Sequence, residues 1–422
     1  MAGEIRVAGW VSEVRDLGKL RFIVLRGEKK VQITMKRGEV SDELFFVTED
    51  LPQESVIEVL GVEAEKKVAR SADLEIIPRE IRVISRAEKK LPLDPNWKVQ
   101  ALFPTRMKYR PLDLRRPEVQ AVFKIEASFV RGAMDWLDEN GFLMVFTPSI
   151  IGAASESGAE VFEVKYFDKK AYLRQDPQLH RQLTILGGFT KIYDIGPNWR
   201  ADPSHTTRHM SEFRSIAVEM AFISDEEDTM RVEEQMIVAG IKRVLEERQK
   251  ELDLLGLQLE VPKTPFPEIR FPHVYEVLEG MGKRIEYGSD YDTESEELLW
   301  RYAKEKYNSD FIFVNRFPFA VKPFYVMKAD DTWARSVDLI YKGEEVSSGG
   351  QREHRYEVLL RQIEEKKLDK KELEWFTSFF RYGAPPHGGF ALGVERFVYR
   401  MLNLQNIREA ALFPRDVERV LP

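Results

Sequence analysis

Residues 385–396 read Pro385-Pro386-His387-Gly388-Gly389-Phe390-Ala391-Leu392-Gly393-Val394-Glu395-Arg396. Glycines and alanine let a backbone approach a bound ligand closely, and Arg396 opens a helix directly after the last glycine. Two earlier segments complement it. Trp199-Arg200-Ala201-Asp202 ends one apolar run, and Arg208-His209-Met210 leads through a polar loop into Glu212-Phe213. Together they make a clamp for a purine triphosphate. The Arg200 fork suits the α-phosphate, while Arg208 and His209 reach the distal phosphates. Phe213 offers a face to the base, and Arg396 lies over the purine and touches the γ-phosphate.

A third set lies between them, with Asp338 and Glu345 bracketing an expected hairpin and Ser348-Gly349-Gly350-Gln351-Arg352 following. Two carboxylates with one hydroxyl oxygen suit Mg2+ bound to the β- and γ-phosphates, because that ion takes hard oxygen ligands and is held by few protein groups.

Composition narrows the class. The 422 residues leave room for two or more domains. A content of 43% hydrophobic and 32% charged residues fits a globular chain, with no apolar run long enough to span a bilayer. The absence of cysteine excludes disulfides, thiolate zinc sites and cysteine nucleophiles. Met1-Ala2-Gly3-Glu4-Ile5-Arg6 lacks the layout of a signal peptide, so a cytoplasmic location is expected. A net charge of −7 argues against a broadly basic coat while allowing a local basic face for nucleic acid.

Residues 4–86 alternate apolar and polar side chains over short runs. Residues 20–25 and 31–35 form two arms around Gly27-Glu28-Lys29-Lys30, with Val31, Ile33 and Met35 on one face and Gln32 and Thr34 on the other. A short helix near Asp42–Val47 precedes strands at Val56–Val62 and Ile81–Ser85. Five strands with a helix after the third predict an all-β OB barrel over 1–92. Two prolines mark a linker over 93–110. Glu118–Asn140 is amphipathic, with Val119, Val122, Ile125, Phe129, Ala133 and Trp136 on one stripe and Gly141 at the C-cap position. A further helix is expected from Ser224, capped by that side chain with Glu227 reaching back.

The helix over 118–140, the Arg200–Phe213 segment and the 385–396 segment resemble motifs 1, 2 and 3 of the class II aminoacyl-tRNA synthetases, and the likeness extends almost from end to end. The resemblance implies an α+β catalytic domain over 111–422, an antiparallel sheet with flanking helices and an insertion around 255–335. It also implies amino-acid activation by ATP and transfer to tRNA, with motif 1 building a homodimer. In that reaction the nucleophile is already an anion. Catalysis is then charge neutralisation and positioning rather than base chemistry. On this likeness Arg200 and Arg396 are the catalytic residues. Arg200, Ala201, Asp202, Arg208, His209, Met210, Phe213, Glu345, Gly393, Val394, Glu395 and Arg396 line the ATP site. Asp338, Glu345 and Ser348 hold the metal.

Gln175-Asp176-Pro177-Gln178-Leu179-His180-Arg181-Gln182, Ser155-Glu156-Ser157-Gly158 and Phe413-Pro414-Arg415-Asp416 are similar to the archaeal-type aspartyl-tRNA synthetases of the aspartate and asparagine group. The likeness implies L-aspartate as substrate, with Glu156, Asp176, Gln178, Arg181, Arg200, Ser348 and Arg352 around it. Gln178 would lie beside the amino group, and Arg181 and Arg352 would meet the side-chain carboxylate. Two arginines favour aspartate over neutral asparagine, because a carboxamide would leave buried positive charge uncompensated. The chain departs from the group's pattern. Arg181 stands for a usual lysine, Asp176 for a serine, Ser157 for a glycine and Asp202 for a glutamate. Ala217 stands for an aspartate near the substrate amino group, and Asp176 is the expected replacement anion. A divergent paralogue with asparagine or altered specificity, or a non-catalytic tRNA-binding relative, is the alternative.

The N-terminal segment resembles the anticodon-binding barrel of the same enzymes. Arg15, Lys19, Phe22, Arg26 and Gln32 fall at the positions that hold the anticodon loop. Phe22 stacks under a base or is barrel core, and Gln32 reads a base edge. Ser12, where many relatives have histidine, leaves open whether both aspartate and asparagine tRNAs are charged.

Overall fold

The computed structural model describes residues 3–65, 72–96, 100–152 and 161–422. The chain divides into two compact units, Met1–Asp113 and Leu114–Pro422.

In the first unit, β1 (Ile5–Asp16), β2 (Leu20–Arg26), β3 (Lys30–Lys36), β4 (Val56–Glu63) and β5 (Leu74–Ser85) close into a barrel in the order β1-β2-β3-β5-β4, with α1 (Asp42–Val47) after the third strand. Short helices α2 (Phe103–Lys108) and α3 (Arg110–Asp113) complete the unit. Ile23 pairs with Ile33 and Leu25 with Val31, so these four point inward together and form the barrel core with Val11, Ile57 and Ile76. The last strand begins seven residues before the expected Ile81. Pro78 sits inside it, opposite Gly61, at a break in register between Leu60 and Gly61. A bulge tolerates a proline that an ordinary ladder position would reject, which is why the proline hid the strand.

In the second unit, Pro117 starts α4 (Pro117–Glu139), which ends against Asn140 and Gly141 as its pattern predicts. Its predicted stripe is buried from Val119 to Ala133, with Trp136 half-buried against the same core, and Phe129 stacks on Phe397 with centroids 4.5 Å apart. There follow β6 (Leu143–Met144), β7 (Ile150–Ile151), β8 (Glu163–Tyr166), β9 (Lys169–Leu173), α5 (Gln178–Leu186), β10 (Lys191–Trp199) and β11 (Glu212–Ala221). Next come α6 (Glu227–Glu247), α7 (Gln249–Leu255), β12 (Glu268–Arg270), α8 (His273–Gly280), α9 (Thr293–Tyr307) and β13 (Phe311–Asn315). The last elements are β14 (Ser336–Tyr341), β15 (Glu344–Arg352), α10 (Tyr356–Glu365), α11 (Glu374–Thr377), β16 (His387–Gly393) and α12 (Val394–Met401).

The main sheet has eight strands in the order β12-β13-β14-β15-β16-β11-β10-β6. Its interior pairs are antiparallel as expected, but both edges are not. The β6 strand runs parallel to β10, and β12 parallel to β13. Residues 268–315, inside the span read as an insertion, thus supply two strands of this sheet. The helix expected from Ser224 starts at Glu227 instead, without a side-chain cap. The Ser224 N–H donates to Asp228 at 2.7 Å, so the local turn is closed by an acidic side chain from within the helix.

Strand parity divides the sheet into a greasy face and a polar one. Ile216, Val218, Met220, Phe390, Leu392, Val337 and Leu339 belong to the core cluster that α4 and α6 cover. The opposite face carries Phe213, Ser215, Ala217 and Glu219 on β11. Directly across from these residues stand Asn198, Gly196, Asp194 and Ile192 on β10. On the other side Ser215, Ala217 and Glu219 face Gly393, Ala391 and Gly389 of β16.

Candidate active site

One cavity lies on this polar face and brings together chain segments far apart in sequence. Arg200, Asp202, Arg208, His209, Met210, Phe213, Glu345, Ser348, Arg352, Gly393, Glu395 and Arg396 all line it, along with Asp176 and Gln178. The floor is made of residues with little or no side chain. A Cβ on Gly389 would stand 1.9 Å from the Val218 carbonyl oxygen and 2.7 Å from a Glu219 carboxylate oxygen. The glycine at 389 is therefore required by the packing of adjacent strands.

At one end the Arg200 guanidinium lies 5.6 Å from the Phe213 ring centroid. Arg200 follows β10 directly, and its N–H donates to the Ser211 carbonyl at 3.0 Å, which closes the motif hairpin. Arg396 donates to the Glu345 carbonyl at 2.9 Å. Three arginines converge on the fully buried Glu344: Arg208 at 3.1 Å, Arg396 at 3.4 Å and Arg400 at 2.7 Å. Arg208 also pairs with Glu296 at 2.5 Å. Neither acid was singled out in the sequence, where Glu344 is one more charge beside a turn. Burial, and then Arg396 and Arg208, hold the His209 imidazole below its ordinary range.

Several expected nucleotide contacts are otherwise engaged. The Glu395 carboxylate accepts the Arg214 N–H at 2.8 Å and its guanidinium at 3.1 Å. Met210 and Val394 are buried in the core cluster, and of the two only Met210 lines the cavity. Ala201 and Asp202 are half-buried, and of the two only Asp202 lines the cavity.

Asp338 and Glu345 meet through an irregularity. Asp338 stands opposite Ser348, Leu339 opposite Ser347, and Ile340 opposite Glu345, so Val346 is the extra residue of a bulge. In a regular strand Glu345 and Ser348, three residues apart, would point to opposite faces. The bulge returns Glu345 to the face of Asp338 and Ser348. The Ser348 hydroxyl donates to Asp338 at 2.6 Å. Burial, and then the Asp338 charge, push the Glu345 carboxyl up to about 7. Among the described residues no three acidic or imidazole side chains gather as a metal cage. Two carboxylates and a hydroxyl fit an Mg2+ that draws its remaining ligands from phosphates and water.

The other end of the cavity differs from expectation. Arg352 donates to Glu219 at 3.1 Å, to the Gln178 amide oxygen at 3.0 Å and to the Gly389 carbonyl at 3.1 Å. Gln178 returns a hydrogen bond to Glu219 at 2.9 Å. Arg181 is fully buried and pairs with both oxygens of Asp176, at 2.9 and 2.6 Å. It also reaches Asp194 at 3.4 Å and Gln178 at 2.8 Å. Asp176 and Gln178 line the cavity, with Arg181 behind them. Both arginines therefore already have carboxylate partners. That corrects the argument that they leave uncompensated positive charge. Glu219 and Asp194 supply the counter-charges, and neither is visible as a partner in the sequence because both pairings cross between elements. Ala217 stands directly opposite Asp194. Glu156 lies outside the described residues.

In the barrel, Phe22 lies on the outer face with Gln32 and Thr34, since it pairs with Thr34 while Ile23 pairs with Ile33. That removes it from the core cluster. Arg15 and Lys19 are exposed. Arg26 instead forms a two-pronged pair with the buried Glu54 at 2.6 and 3.1 Å. Gln32 donates to Glu75 and Thr34 at 3.3 Å.

Comparison with known proteins identifies the family. Residues 103–417 match the family described as tRNA synthetases class II (D, K and N), and residues 5–84 match the OB-fold nucleic acid binding domain. The chain is 46% identical over 422 residues to the aspartate–tRNA(Asp) ligase of Thermococcus kodakarensis, covering 99% of this chain and 96% of the relative. It is 42% identical over 428 residues to the aspartate–tRNA(Asp/Asn) ligase of Aeropyrum pernix, covering 100% and 96%. Among solved structures, the asparaginyl-tRNA synthetase of Pyrococcus horikoshii complexed with asparaginyl-adenylate superposes with a TM-score of 0.91 at 32% identity, covering 100% and 96%. With both domains matched and the cavity built from the segments that drew the resemblance, the chain belongs to the class II tRNA synthetases (D, K and N) and is an aminoacyl-tRNA ligase.

Proposed function

We propose that this enzyme ligates L-aspartate to its tRNA through an aspartyl-adenylate, using ATP and Mg2+. The α-carboxylate attacks the α-phosphorus, a carbon–oxygen–phosphorus linkage forms, and the bond to pyrophosphate breaks. A terminal ribose hydroxyl of the tRNA then attacks the carbonyl and releases AMP. Arg200 takes charge developing on the α-phosphate, Phe213 and Arg396 hold the base, and Arg208 with His209 meets the distal phosphates. Asp338, Glu345 and Ser348 would hold Mg2+, which supplies charge neutralisation to the leaving pyrophosphate. The observation that carries this reading is the single polar sheet face, which lines Arg200, Phe213, Glu345 and Arg352 into one cavity. Its natural setting is a cytoplasmic homodimer. Pyrophosphate exchange with each of the twenty amino acids tests it: aspartate should dominate, and activation of a different amino acid would displace the reading.

Activation of asparagine is a second reading, favoured by one observation. Every guanidinium at the side-chain end has its own carboxylate, so a neutral carboxamide would strand no charge.

Asp176 is proposed as the anion that faces the substrate ammonium while holding Arg181. A charge-assisted hydrogen bond is worth about 1.5–3 kcal/mol, so Asp176→Ser should raise the aspartate KM by about 10–100-fold. Adding Ala217→Asp, opposite Asp194, should restore much of it. Absence of rescue in a folded double variant would remove Asp176 from this role. Arg181→Lys, which keeps the charge, should stay active with an altered KM.

The barrel is proposed to hold the anticodon loop, with Phe22 stacking on a base and Arg15 and Lys19 meeting phosphates; the exposure of Arg15 and Lys19 and the outer-face placement of Phe22 support this. Removing residues 1–92 should spare aspartate-dependent pyrophosphate exchange and cripple tRNA charging. Loss of both activities in a folded truncation would contradict the division of labour.

A further inference from the structure

Lys322 was not singled out in the sequence, yet its ammonium contacts one of the carboxylates proposed to hold the metal. Its Nζ lies 2.7 Å from one oxygen of Asp338, whose other oxygen accepts the Ser348 hydroxyl at 2.6 Å. The side chain is only 11% exposed, lies with its Nζ 3.5 Å from the Phe317 ring centroid, and lines the same cavity. Asp290 and Glu345 add further negative charge around it. Both oxygens of the Asp338 carboxylate are therefore engaged, one of them by a full positive charge.

We propose that Lys322 is a built-in counter-cation of the nucleotide site, which occupies Asp338 until a triphosphate arrives. The inference rests on the reading of Asp338, Glu345 and Ser348 as Mg2+ ligands. A divalent ion competing for this site in the free protein must displace an ammonium already at contact distance. It must also shed water that it gives up reluctantly. A triphosphate changes the balance by bringing several negative charges and further oxygen ligands. The long, flexible lysine stem then lets the ammonium transfer from the carboxylate to a phosphate oxygen. Metal uptake is thereby coupled to nucleotide binding. A lysine acting only as a structural strut would lower stability when removed and leave metal affinity unchanged.

Mn2+ binding to the nucleotide-free, full-length protein, followed by electron paramagnetic resonance, separates these cases. The wild type should bind weakly. Lys322→Met should bind at least about tenfold more tightly, the modest end of what removing one contact charge does in a partly screened site. Lys322→Arg should stay near wild type, and Lys322→Met/Asp338→Asn should lose the gain. Unchanged Mn2+ affinity in a folded Lys322→Met protein overturns the proposal. So does a wild type that binds Mn2+ tightly without nucleotide in an Asp338-dependent way, a result that needs no Lys322 variant to fold. Wild-type pyrophosphate exchange, measured alongside, reports separately on the nucleotide reading itself.

Discussion

Arg200→Ala and Arg396→Ala are each expected to lower the rate of adenylate formation by about 10²–10³-fold or more while leaving the fold intact. Removing one preorganised donor from a charge-developing site has that typical cost. The structure gives each arginine a different setting. Arg200 leans over Phe213 with no carboxylate within salt-bridge distance among the described residues, so its charge is available to a ligand. Arg396 is steered by the Glu345 carbonyl and by Glu344, so its loss also unbalances a buried acid that holds two other arginines. Arg396→Ala should accordingly show some loss of thermal stability, and Arg200→Ala very little. Near-normal pyrophosphate exchange in either variant would overturn the assignment of the nucleotide end of the cavity.

Arg352→Leu should abolish aspartate activation by a comparable factor, and it should also destabilise the protein. Glu219 is fully buried, and its guanidinium partner is Arg352. Breaking a buried pair by removing one member costs about 3–5 kcal/mol. The two effects are separable. Arg352→Leu/Glu219→Gln removes the stranded charge and should recover stability measured by thermal unfolding, without recovering exchange. Recovery of aspartate-dependent exchange in that double variant would reduce Arg352 to a structural partner of Glu219 and take it out of substrate recognition.

Local pattern was enough for the helix at 117–139, whose apolar stripe repeats at the helical period and is buried where the pattern places it. It was enough for the barrel's strand count and for the segments that meet around the cavity, because each carries its own chemistry in a short run of residues. The two faces of β2 were a harder case. Leu20, Phe22 and Val24 are as apolar as Ile23 and Leu25, so that strand alone cannot say which set is core. The neighbouring β3 decides, since Val31, Ile33 and Met35 are strictly alternating and register couples Ile33 to Ile23.

What no local pattern encodes is which charge meets which. Glu219 and Arg352 are 133 residues apart, and the acids around Arg208 lie 88 and more residues away from it. The Val346 bulge that turns Glu345 toward Asp338 is a property of strand pairing rather than of either strand. The amino-acid sequence by itself determined the two folds and the family, because periodicity and motif residues act over a few positions. Only the tertiary structure decided that Arg181 is spent on Asp176 and Asp194, that Glu344 anchors three arginines, and that Lys322 pairs with Asp338. Coulomb interactions depend on distance in space and on burial, and both are set once the whole sheet has formed.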